Sequence, residues 1–366
     1  MADVTLEATL NRAPGWRRFA LAFAAAAVVT AGACYGFIVA LDPYGIRTGP
    51  GRGPTPIMDL NQRFMYPQIV RSRQYDSALF GTSTIRLIDP AALGHLFGAR
   101  FANLGLNAGT PWEQMQLAGL FLRHVASPKV MIFGLDRTWC APDADRQLVT
   151  FRAFPRWLYD ESRLDAAVGL LNLKSLEIAA RVAMNRLGLM KDRIRPDGYE
   201  VFVPPDASYD LARARRHIAA VAAPAPPVPE EPMSAAERAA LPMPALPWLA
   251  DLLARIPAET AKILVFPPVH ASAQPEPGTR EADVEAECKD RVVAIARRHG
   301  ATVVDFRRRS AVTTEDSNYW DPLHYRIGIA RAVAAALKEA HATGAEPPDQ
   351  FYRVLVRAEP PSQKSD

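Results

Sequence analysis

Five short, largely apolar runs, at 77–80, 99–104, 129–133, 262–266 and 302–306, decide what this chain can fold into. The first three stop against Gly81, Gly105 and Gly134, and the fourth stops against Pro267 and Pro268. Helical patterns lie between and after them, at 112–124, 282–299 and 328–341. A strand without a polar residue at every second position must be covered on both faces. Such strands alternating with helices predict an α/β three-layer sandwich on a five-stranded parallel sheet. Ligands of these sheets bind beyond the carboxyl ends of the strands, where glycines permit tight turns and close backbone approach.

Ahead of the sheet region, no charged residue occurs from Phe19 to Leu41. Those 23 residues make about 34 Å of helix, enough to cross a bilayer. Arg12, Arg17 and Arg18 precede the run and Asp42 follows it, so the positive-inside rule puts the N-terminus in the cytoplasm. The expected layout is a cytoplasmic segment 1–18 and one transmembrane anchor 19–41 in the inner (cytoplasmic) membrane. The main domain then lies in the periplasm or outside the cell. A cleaved signal peptide is the alternative, as is lipoprotein cleavage before Cys34, although Ala31-Gly32-Ala33 lacks the usual branched apolar residue.

Residues 42–74, rich in Gly and Pro as far as residue 60, read as a linker. The α/β domain is expected over 75–342, interrupted by an insertion at 141–257, with a flexible tail at 343–366 that contains a short apolar run at 351–356. Within the insertion, 141–220 shows Leu and Ala at helical spacing. Residues 221–247 are rich in Pro and Ala and predict an extended surface loop. The insertion fits a lid, a partner surface or a plain elaboration.

The net charge is only +4, and the basic clusters Arg213, Arg215, Arg216 and Arg297, Arg298 sit at helical spacing beside Ala and Val. That is the pattern of solvated helix faces, so no nucleic-acid partner is expected. The sequence has no Cys-x-x-Cys, no His-x-x-x-His, no Walker loop and no Gly-x-Gly-x-x-Gly, which leaves no metal or cofactor to expect. Cys140 and Cys288 could pair in an oxidising compartment, or stand as small unpaired core residues.

Two short motifs occupy strand ends. Gly81-Thr82-Ser83 closes the first run, and Asp321-Pro322-Leu323-His324 precedes the last helical pattern. A serine hydroxyl is a weak nucleophile until an imidazole takes its proton, and a carboxylate must hold that imidazole in one tautomer. Singly, Ser83 and Asp321 read as helix caps and His324 as a capping or core imidazole. In this order and at these element ends, they read together as the catalytic serine, acid and base of a hydrolase.

These residues resemble the SGNH, or GDSL-like, hydrolase superfamily over 75–342. Gly81-Thr82-Ser83 is similar to its first block, with Thr82 in place of Asp. Asn103-Leu104-Gly105-Leu106-Asn107-Ala108-Gly109 resembles the second, Gly134-Leu135-Asp136 falls where the third should be, and Asp321 to His324 resembles the last. The resemblance implies the flavodoxin-like SGNH fold and an oxyanion hole built from the amides of Ser83 and Gly105. Asp136 stands where the family has an asparagine donor, and an ionised carboxylate cannot donate. Asn103 or Asn107 would then supply the bond, with Asn107 preferred, or Asp136 would be protonated, or the site would be weakened. Asp136 otherwise reads as a helix cap or a partner of Arg137 or Arg86.

The anchor, Asp42-Pro43-Tyr44-Gly45 and the Gly-Leu-Asp block also resemble exported bacterial relatives, including acetyltransferases of alginate and other exopolysaccharides. The implied function is a membrane-anchored esterase or O-acyltransferase acting on glycan or acyl-ester substrates, alongside envelope or polysaccharide-modification partners. The alternative is an inactive SGNH-fold scaffold or glycan-binding subunit. His270, after the fourth run, is expected either against substrate or on the surface. A phosphotransfer role for Asp136 fits poorly, because Asp136-Arg137-Thr138 is not Asp-x-Asp.

Overall fold

The computed structural model describes residues 13–47, 55–221 and 231–358. Its strands are β1 (Ser77–Phe80), β2 (Phe101–Asn103), β3 (Val130–Gly134), β4 (Ala261–Phe266), β5 (Ala301–Asp305) and β6 (Arg353–Val356). They form one sheet in the order β2-β1-β3-β4-β5-β6. The first five are parallel, as the apolar runs predict, and β6 adds antiparallel to the edge of β5. The expected count of five is therefore one short. Pairing of β6 with β5, together with burial of Phe351 and Tyr352 against Phe306, ties residues 351–356 to the body; the rest of the expected flexible tail, 359–366, lies outside the described residues.

Helices alternate with these strands. They are α1 (Ala13–Leu41), α2 (Gln62–Arg71), α3 (Ser83–Arg86), α4 (Pro90–Phe97), α5 (Pro111–His124), α6 (Arg163–Gly169), α7 (Leu173–Arg186) and α8 (Leu211–Val221). After these come α9 (Ala235–Ala239), α10 (Ala245–Arg255), α11 (Arg280–His299) and α12 (Ile327–Thr343). Side chains of the strands alternate between two cores. Phe80, Phe133, Leu264 and Phe266 meet α2, α5, α10 and α11, whereas Leu79, Ile132, Ile263 and Val265 meet α4 and α12. Each fully buried Leu, Ile or Phe contributes about 1.5–3 kcal/mol, which explains why these strands carry no polar face. The first helix is long and apolar enough to cross a membrane.

Three expected boundaries shift. Residues 55–74 are not linker: Ile57, Met58, Met65, Tyr66, Ile69 and Val70 are buried, and Arg63 of α2 makes a fully buried ion pair with Glu113 of α5. The insertion ends earlier than 257, because α10 is the crossover helix between β3 and β4 and packs against α5 and α11. Of the expected extended loop at 221–247, residues 222–230 lie outside the described residues. Beyond them Ser234 and Glu237 form a capping box that starts α9. Cys140 and Cys288 are disulfide-bonded, with Cα atoms 5.8 Å apart. The bond fastens the turn after β3 to α11, which overturns the reading of both as unpaired core residues.

Candidate active site

The order β2-β1-β3 makes the chain leave β1 outward to β2 and return across it to β3. The crevice at the carboxyl ends of β1 and β3 is where such folds bind ligands. Gly81 ends β1 there: a Cβ on it would lie 2.6 Å from Ile85 Cγ2 and 3.3 Å from the Gly134 Cα. The absence of that Cβ lets Ile85 tuck under the turn, and Ser83 opens α3 half-buried at the sheet edge.

Asp321 and His324 reach the same edge from the loop between β5 and α12. The loop is closed on itself by a bridge between Tyr319 and Tyr325 and by the Trp320 amide donating to the His324 carbonyl at 2.8 Å. Asp321 Oδ1 accepts the amides of Leu323 and His324 at 2.8 and 3.0 Å. That leaves Oδ2 for His324 Nδ1, at 2.7 Å. His324 Nε2 lies 2.9 Å from Ser83 Oγ. With its proton on Nδ1, facing the carboxylate, the imidazole presents a lone pair to the serine. The three residues expected to work together are therefore in contact. Burial alone would raise the Asp321 carboxyl, but the hydrogen bond and charge of His324 and the two amides outweigh it and hold it below its ordinary value. Side-chain exposure of 22% at His324 leaves the ring reachable from solvent.

Around this line the structure adds residues that the sequence reading missed. Phe202, from the insertion, meets the His324 ring edge-on with centroids 5.2 Å apart. The guanidinium of Arg86 stacks over Phe202 at 4.9 Å and pairs with Glu200. Tyr325 donates its hydroxyl to the Thr84 carbonyl at 2.5 Å. Nothing in the pattern of the insertion marks Phe202 or Glu200, since their neighbours in space lie more than a hundred residues away in the chain. Tyr325 was signalled only by adjacency to His324.

The expected oxyanion donors divide. The backbone after β2 runs beside β1, with the Leu106 amide on the Gly81 carbonyl at 2.8 Å, so Gly105 and Asn107 flank the Ser83 turn. The Gly105 amide, however, donates to Asn103 Oδ1 at 3.1 Å. Asn103 in turn donates from Nδ2 to the carbonyls of Arg86 and Ile88 at 3.0 and 2.9 Å, so it braces α3 and is buried. Asn107 is held by its backbone, its carbonyl accepting from Arg63 Nη1 at 3.1 Å. Its side-chain amide makes no hydrogen bond to any described residue. The Ser83 amide, first of its helical turn, is likewise without an acceptor among the described residues.

Asp136, two residues past β3, caps the short 3-10 helix Arg137–Cys140: Oδ1 accepts the Thr138 amide at 3.0 Å and the Thr138 hydroxyl at 2.5 Å. Neither expected arginine pairs with it, since Arg137 pairs with Glu281 and Arg86 with Glu200. His270 is not on the surface, and its hydrogen bonds go to Ser272 and Pro322 and not to Ser83. Its ring is buried edge-on against Tyr319, Nε2 lies 3.2 Å from Asp316 Oδ1 but off the hydrogen-bonding direction, and its amide donates to the Pro322 carbonyl at 2.8 Å. It props the loop that carries His324. Among the described residues no cluster of side chains is arranged to hold a metal.

Comparison of the chain with protein-family models, with curated proteins and with solved structures finds no match.

Proposed function

We propose that this protein is a membrane-anchored, extracytoplasmic SGNH-like serine esterase or O-acyltransferase that acts on acyl esters of cell-envelope glycans or exopolysaccharides. The observation that carries the reading is the continuous line from Ser83 Oγ through His324 to Asp321, at 2.9 and 2.7 Å. Ser83 Oγ attacks the ester carbonyl carbon while its proton passes to His324 Nε2. The carbonyl oxygen becomes an oxyanion beside the Ser83 amide and the Asn107 side chain. The C–O bond to the alcohol then breaks, and that oxygen leaves with the proton from His324. Water or a sugar hydroxyl gives its proton to His324, takes the acyl group and returns Ser83 to its starting state. The anchor helix and the Cys140–Cys288 disulfide support an oxidising location outside the cytoplasm.

One observation favours a second reading, an SGNH-fold scaffold or glycan-binding subunit without turnover. The Gly105 amide and the Asp136 carboxylate are both engaged elsewhere. The test is p-nitrophenyl acetate turnover by the full-length chain in detergent, against Ser83→Ala. Turnover that Ser83→Ala abolishes supports the enzyme, and acylation of an added glycan acceptor, read by mass, assigns the transferase. Equal, background rates from both proteins favour the scaffold.

A further inference from the structure

α1 meets the body of the protein inside its charge-free run, not beyond it. From Gly15 to Ala33 its residues are exposed, but Cys34, Tyr35, Ile38 and Val39 are partly or fully covered, and α7 packs along this end. The ties are specific: Arg186 Nη2 donates to the Leu41 carbonyl at 3.2 Å, and Tyr44 Oη lies 3.2 Å from Ser175 Oγ near the start of α7. A bilayer core takes up about 20 residues of helix, and the first charge after Arg18 is Asp42. The covered stretch from Cys34 to Leu41, about 12 Å long, therefore lies at the depth of the outer leaflet. Whatever packs beside it lies there too.

The outward face of α7 has the composition that this depth demands. Ser175, Ile178, Ala179 and Val182 turn toward the core. On another face Leu173, Leu176, Ala180, Met184 and Leu187 follow one another at three- and four-residue steps. Leu173 is 85% exposed and Leu187 73%. In α6, which precedes α7 in the chain, Leu164 and Val168 are likewise exposed, at 73% and 61%. A helix face turned to water is polar, whereas an apolar face backed by a packed one belongs to an interfacial element.

We infer that α6, α7 and the turn after α7 form an interfacial platform that sits in the outer leaflet around the exit of α1, so that lipid acyl chains are the occupant of this face. The inference rests on α1 being a membrane anchor. It holds the body flat against the bilayer, which would confine substrates to those that reach the membrane surface.

The experiment uses the full-length chain in vesicles of phosphatidylcholine and phosphatidylglycerol that carry a phospholipid with a diazirine in its acyl chain. After illumination, adducts are mapped by peptide mass. The expected result is adducts over 163–189 as well as over 19–41, with none in α11. Adducts over 19–41 but none over 163–189 would overturn the platform and leave the anchor. Absence of adducts from both would overturn the anchor, and the platform with it. Leu173→Glu with Leu187→Glu alters only exposed side chains. It should lose the 163–189 adducts while keeping those on 19–41 and an unchanged melting temperature; retention of both sets contradicts the inference.

Discussion

Tyr325 donates its buried hydroxyl to the carbonyl of Thr84 at 2.5 Å. One bond therefore joins the residue after His324 to the residue after Ser83, across 241 positions of sequence. The distance between His324 and Ser83 is set by this clamp as well as by their own contact. Tyr325→Phe keeps the ring and leaves the Thr84 carbonyl without its partner. The expected cost is about 1–3 kcal/mol of stability, with a slower reaction of Ser83 toward an acylating probe. A mutant with unchanged labelling rate would show that the clamp does not position the pair.

Asp321 divides its two oxygens between backbone and imidazole. Asp321→Asn preserves the shape but presents an amide where His324 needs an acceptor, so Ser83 acylation should fall on the order of ten-thousand-fold. The loss is read as labelling rate beside a circular dichroism spectrum that does not change. A decrease of only a few-fold would remove Asp321 from the proton-transfer line.

Asn107 carries a side-chain amide free to donate at the rim of the crevice, whereas Gly105 is engaged by Asn103. Asn107→Ala should therefore lower the turnover rate by about 100- to 1000-fold, the usual loss for one oxyanion donor, with little change in melting temperature. An unaltered rate would exclude Asn107 as that donor.

Cys140 and Cys288 are 148 residues apart in sequence and tie the turn after β3 to α11. Removing a bridge across a loop this long costs about 2–5 kcal/mol. Cys288→Ala should thus melt earlier than wild type, and a reducing agent should lower wild type toward the mutant while leaving the mutant where it is.

Stability should also depend on histidine burial. His124, His270 and His341 are each held below the ordinary histidine value, burial being the main cause, and at His270 Asp316 opposes it. The unfolded chain accepts a proton near pH 6.5 that the folded chain refuses, so stability is lost as pH falls through that range. Asp305, which burial raises against the pull of Lys289 and Arg307, works with the opposite sign. The sharper readout is therefore a difference: between pH 7.5 and about 5.5, His270→Gln should show a smaller drop in melting temperature than wild type. An equal or larger drop contradicts the assignment.

The sheet was legible because its strands are buried on both faces and so carry continuous apolar runs. The sixth strand was not, since Arg353–Val356 is an edge strand with an exposed residue and partly buried ones. The positions of Ser83, Asp321 and His324 could be read because each sits at the end of a recognisable element. The turn after β2 was read less well. Whether Gly105 donates outward or to Asn103 depends on a side-chain rotation that no spacing encodes. Phe202 and Glu200 approach the site only because the insertion folds back over the loop at 316–326, with Tyr209 donating to the carbonyls of Asp316 and Tyr319 and Arg215 paired with Asp316. Residues 55–71 looked like linker by composition, yet Arg63 buries its charge because Glu113 waits for it in α5.

The proposed activation of Ser83, at the end of β1, can be read by covalent trapping. The full-length chain in detergent is treated with a fluorophosphonate and mapped by intact mass and peptide mass, beside Ser83→Ala. One adduct is expected, on Ser83, absent from the mutant and greatly slowed in His324→Ala. A folded wild-type protein that takes up no adduct, or takes it up elsewhere, would contradict it.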